Sequence, residues 1–277
     1  MTPRQILRGL AALAMLAAAL PVQTAAQSID LSLYYAQAIV SGTVKETRRL
    51  GMAQCLEDVL VKVSGDPRLI ADRRAKALAV QAESLVREIR YRDRMGHKPI
   101  NDEQGTRDRP YDLMVTFEPA KIDAALQSLG RKPWTGKRPR VAMFLIVNNG
   151  AVTYKLAADG ERGADQREAL AAAGTQVGVP VLVPNNAAWS ETGLAEAALP
   201  GADLTRFEAA TKSSGADVAL AGRLTWNDKA LGWVAEWRLA WDDKAYAWGI
   251  KGVSFDDAFR HAMRGAAQIL SGNGPPK

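Results

Sequence analysis

The sequence predicts a mixed α and β protein of two domains. A small N-terminal α+β domain is followed by an α/β layer domain that ends in an antiparallel meander and a C-terminal helix. Three observations lead there. Residues 111–117 alternate Tyr111, Leu113, Val115 and Phe117 with other residues, the period-two pattern of a strand with one covered face, whereas "VAMFLIV" (141–147) is apolar without interruption, as for a strand covered on both faces. Before residue 130 the elements read β-α-α-β-β-α, and after 140 strands and helices alternate before three consecutive strands. Between them lies "GRKPWTGKRPR" (130–140), rich in Pro, Gly and basic residues.

Arg4 and Arg8 precede an unbroken Leu10–Leu20 run of Ala, Leu and Met, then Pro21 and the small residues Thr24, Ala25 and Ala26. That pattern is a secretory signal peptide, residues 1–26, with cleavage expected after Ala26 and a periplasmic destination. The run is shorter than the ~20 apolar residues that span a bilayer, so no stable membrane span is expected once the leader is removed. Losing Arg4 and Arg8 lowers the formal charge from +6 to +4, a mildly basic balance that gives no nucleic-acid signature. With 47% hydrophobic and 24% charged residues and Cys55 as the only cysteine, no internal disulfide is available, so a hydrophobic core carries the fold.

Residues 27–130 form the first domain. "LSLYYAQAIV" (31–40) reads as a strand ended by Ser41-Gly42-Thr43. From Val44 to Val63, the apolar Met52, Leu56, Val59, Leu60 and Val63 recur at three- and four-residue steps, an amphipathic helix with Cys55 on its buried side. Ser64-Gly65-Asp66-Pro67 then ends it. Glycine there suits a left-handed cap, and Pro67 cannot continue the helix. These residues lie at the carbonyl pole, not the N–H pole that binds phosphate. A second helix is expected over 75–86, strands over 88–92 and 111–117, a polar loop over 101–110, and a short helix opened by Pro119 and closed by Gly130.

Residues 131–140 form a basic Pro/Gly linker. Solvent explains its charges; the alternative is a basic strip of Arg131, Lys132, Lys137 and Arg138 that meets an acidic partner or phosphate-bearing lipid. The second domain spans 141–271, with helices over 164–173 and 204–212 and strands over 179–183 and 216–224. Two further strands meet at an Asp242-Asp243-Lys244 turn, and Ser254 with Asp257 forms a capping box on the last helix. Residues 272–277 are expected to be a disordered tail.

With these elements placed, "MAQCLEDVLVKVSGDPRL", "KPWTGKRPRVAMFLIV", "GVPVLVPN" and "ADVALAGRL…WRLAW" resemble the exported bacterial family catalogued as domain-of-unknown-function family two thousand and sixty-six. The resemblance implies a periplasmic location and supplies no catalytic residues.

No chemistry is legible as a motif. His97 and His261 are far apart and read as surface residues, so no metal ligand set or cofactor is expected. Glu57-Asp58, Asp242-Asp243 and Asp256-Asp257 are explained by helix surface, turn and helix dipole. The most distinctive feature is a row of Trp233, Trp237 and Trp241 on one face of a strand. It is either core beneath the helices or a stacking platform for glycans. The leading reading is a non-enzymatic protein-interaction module in cell-envelope assembly or maintenance, its partner an envelope protein or cell-wall component. A small-ligand or glycan-binding protein using the Trp row or the interdomain cleft comes second, and a hydrolase with an unrecognised site third.

Overall fold

The computed structural model describes residues 30–96, 109–195 and 203–276. The leader, His97 and most of the expected polar loop lie outside them. The architecture is the mixed one expected: a three-stranded antiparallel sheet, a larger mixed sheet ending in an antiparallel meander, and a C-terminal helix.

In the first domain, strand β1 (Tyr35–Ser41) and strand β2 (Val86–Asp93) flank strand β3 (Pro110–Phe117), all antiparallel, in the order β1-β3-β2. The strand expected from residue 31 begins at Tyr35, because Asp30 accepts the Ser32 N–H and winds Leu31–Tyr34 into a 3-10 turn. Helix α1 (Lys45–Ser64) lies on this sheet, burying Met52, Cys55, Leu56, Val59, Leu60 and Val63 as its period requires. Burial pushes the Cys55 thiol up to about 12, so it packs as an inert apolar group. Helix α2 (Arg73–Ala79) is shorter than expected; Val80 and Gln81 turn the chain into a further 3-10 turn, Ala82–Leu85. Helix α3 (Pro119–Ser128) starts at its proline and closes the core with Ile122 and Leu126.

In the second domain the sheet order is β5-β4-β7-β8-β9. Strand β4 (Val141–Asn148) is central. It runs parallel to β7 (Val218–Asn227) and antiparallel to β5 (Thr153–Leu156), and it pairs briefly with β6 (Val181–Leu182). The "VPVLV" segment contributes only these two residues to the ladder.

The continuous apolar run of β4 is explained by its two coats. Val141, Met143, Leu145 and Val147 join the core beneath helices α4 (Ala164–Val177) and α7 (Phe255–Leu270). Ala142, Phe144 and Ile146 join a second core with Trp189 of helix α5 (Asn186–Glu191) and Phe207 and Ala210, which flank and form helix α6 (Glu208–Ser213). Strands β8 (Gly232–Trp241) and β9 (Lys244–Val253) complete the meander. Asp242 and Asp243 both take positive φ, 52° and 57°, as a two-residue type I′ hairpin needs. Ser254 Oγ accepts the Asp257 N–H and donates to the Asp257 carboxylate, which caps α7.

Candidate functional site

The Ser64-Gly65-Asp66-Pro67 stop is the junction of the molecule. A helix leaves its last carbonyls without intrahelical donors. Here each finds one from a different source. Val61 takes the Gly65 N–H at 2.7 Å, Lys62 takes Arg138 Nη2 at 2.8 Å and Val63 takes the Trp134 N–H at 2.7 Å. Ser64 takes Asn273 Nδ2 at 2.9 Å, and Gly65 takes Ser271 Oγ at 3.3 Å. Two donors belong to the 131–140 strap and two to the end of α7.

Asp66, fully buried, organises the other side of the turn. It accepts the Arg68 N–H, Arg68 Nε and Nη2, and Arg131 Nε. Burial alone would raise its pKa; the hydrogen bonds from Arg68 and Arg131 outweigh it and hold the carboxylate below its ordinary 3.8.

The basic strip is therefore not a solvated linker. Arg131 is ion-paired to Asp66. Arg138 lies over the Trp134 ring, 4.2 Å from its centroid, and donates to Lys62, Val177 and Gly178 carbonyls, tying the ends of α1 and α4 together. Burial lowers its pKa to about 10. Of the four cations, only Lys132 and Lys137 face outward, and Lys137 reaches Asp217 at 3.5 Å. The expected tail is likewise docked, through Asn273 and through Gln268 Nε2 to the Pro275 carbonyl.

The tryptophan row divides. Trp237 has no exposure and packs against Phe259 of α7, ring centroids 6.4 Å apart. Trp233 and Trp241 are half-buried at either end of that core. The three do not form one open stacking surface, because α7 covers the middle.

Two titratable residues read as surface are half-buried instead. Asp58 accepts Gln176 Nε2 at 3.0 Å across the α1–α4 contact; burial raises its pKa against the opposing pull of that bond and of Arg264. His261 sits on α7, its pKa lowered by burial and then by Arg264. Both lie on faces that only the packing of α1, α4 and α7 encloses. A neutral His261 in the fold opposes protonation, while the unfolded imidazole titrates near 6.5. Stability is then full above that pH and falls as pH drops below it. The midpoint of thermal unfolding should fall between about pH 7.5 and about pH 5.5, and His261→Gln should flatten that slope.

Beneath the strap a cleft of about 910 Å³ opens between the domains, lined by Lys62, Arg138, Trp134, Tyr34, Asp123 and Pro180 among others. Lys62 is 5% exposed and donates to the Tyr35 carbonyl at 2.7 Å; burial lowers its pKa, with Asp58 opposing. Tyr34 donates to Asp123 at 3.1 Å, and burial and that carboxylate push its phenol to about 12. Lys62 falls on the polar side of the period of α1, and only the strap shows that it faces a cleft. Among the described residues there is no cluster of three His, Cys, Asp or Glu placed to hold a metal, and no helix long and apolar enough to cross a membrane.

Residues 26–135 are similar to a domain of unknown function (DUF8605). The matched segment holds the first domain and ends in the strap beside Trp134. This finding corrects the resemblance to family two thousand and sixty-six, since the family matched is a different one. Neither the curated proteins nor the solved structures contain a match.

Proposed function

We propose that this chain is an exported, non-enzymatic protein that acts in the cell envelope by binding an extended segment of another envelope protein along the free edge of its larger sheet. The observation that carries the reading is strand β9. It is ten residues long, among the described residues it pairs only with β8, and its outer face exposes Ala245, Ala247 and Gly249. An open strand edge is a template for another strand, and small residues beside it admit close main-chain approach. Natural edges are usually blunted by charge or proline; β9 has no proline, and its lysines, Lys244 and Lys251, stand near its ends. The leader pattern and mildly basic charge suit an exported protein near anionic partners.

A photo-crosslinking residue at Ala247, compared with one at exposed Gln54 on α1, tests this in cells. One discrete adduct from position 247, absent from 54 and lost in an Ala245→Glu background, is the expected result. Equal labelling from both positions, or none from 247, overturns it.

A further inference from the structure

Lys62 and Arg138 are two cations taken largely out of water beside one another, and among the described residues neither is ion-paired. The nearest acids, Asp58 and Asp30, attract these cations without forming an ion pair, and each accepts a hydrogen bond from another group. Asp58, one turn earlier on α1, holds Gln176; Asp123 holds Tyr34; Asp30, at the rim, takes the Ser32 N–H. Arg138 spends both terminal nitrogens on carbonyls, whereas the Lys62 ammonium has one acceptor for three protons. A desolvated charge without a counter-ion in contact is costly, and the cost is relieved by an anion that reaches it. The interdomain cleft gives that access.

We infer that this cleft binds a small organic carboxylate. One carboxylate oxygen accepts from Lys62 Nζ, and the body of the ligand lies along Trp134 and the apolar wall of Pro133, Val179 and Pro180. Lys62 and Arg138 border the cleft together with Asp30 and Asp123, while Lys137, also at its rim, is held by Asp217. With two carboxylates already on the wall, a carboxylate monoanion meets less repulsion there than a phosphate dianion does. Volume points the same way, since 910 Å³ exceeds what a bare inorganic ion fills and lies in the range of small-molecule sites. The site is independent of the β9 edge.

Calorimetric titration of the full chain with sodium benzoate, benzamide and inorganic phosphate tests the assignment. Benzoate should bind, benzamide should not, and Lys62→Met, which keeps the buried stem, should weaken benzoate by about tenfold or more. On the parent protein, nuclear Overhauser contacts between benzoate ring protons and the Trp134 indole should be present, a readout that does not depend on any variant folding. Equal binding of benzamide, unchanged affinity in Lys62→Met, phosphate binding tighter than benzoate, or no benzoate binding at about 10 mM each overturns the proposal.

Discussion

Trp237→Ala is expected to lower the stability of the second domain by about 3–5 kcal/mol, the range for emptying a buried aromatic site. The indole has no exposure, packs on Phe259 and lies over Gly222, where an added Cβ would overlap its ring. Backbone fills that floor, and helix α7 is fixed at both ends, by its Ser254 cap and by Ser271 on Gly65. The site therefore has little freedom to collapse. Calorimetric unfolding should show the loss as a fall of roughly 10 °C in the melting temperature. Trp237→Phe should cost much less than alanine. Its ring keeps most of the contact, and the indole N–H, buried without a hydrogen-bond partner among the described residues, disappears. Trp226→Ala, at 40% exposure on the same face, should stay within about 1 kcal/mol of the parent. A Trp237→Ala loss below about 1 kcal/mol would show that the row is not core.

Gly65→Ala is expected to cost about 2–5 kcal/mol, from two sources of similar size. Its φ of 71° is left-handed, where any side chain is strained, by about 1–2 kcal/mol. The added Cβ would also stand 2.5 Å from Ser271 Cβ and Oγ and 3.2 Å from the Trp134 ring. The cap cannot relax without pushing α7 and the strap off α1. Urea unfolding should show the loss, and Asn273→Ala, which removes only one donor to the same turn, should cost about 1 kcal/mol. A Gly65→Ala cost equal to that of a solvent-exposed helix cap would mean that the junction does not couple the domains.

What could be read from the sequence was local in origin. The end of α1 at Gly65, the alternation of β3, the double cover of β4, the turn at Asp242-Asp243-Lys244 and the Ser254–Asp257 cap depend on periodicity or turn chemistry within a few residues. What escaped depends on distant chain. The strap has a linker's composition, yet its Trp134 N–H and Arg138 bond to carbonyls some seventy residues back. Asp58 looks like helix surface until Gln176 arrives. The tail looks frayed because Asn273 finds its acceptor at Ser64. The Trp row was ambiguous for the same reason, since which face α7 covers is a tertiary fact. The cleft cations belong to this class too: Lys62 falls on the polar side of a helix period and Arg138 in a stretch of linker composition, and only their meeting makes a site.

The carbonyls of Lys62, Val63, Ser64 and Gly65 are filled, in turn, by Arg138, Trp134, Asn273 and Ser271. A ribosome delivers these partners in two instalments. The strap emerges directly after the first domain, but Ser271 and Asn273 come more than two hundred residues after the helix they finish. Until then the nascent first domain holds a helix end half open to water. Completion of the earliest-made domain is thus timed by the last-made residues, so a chain truncated before Ser271 should be a better substrate for proteases at both of its domains, not only at the new end.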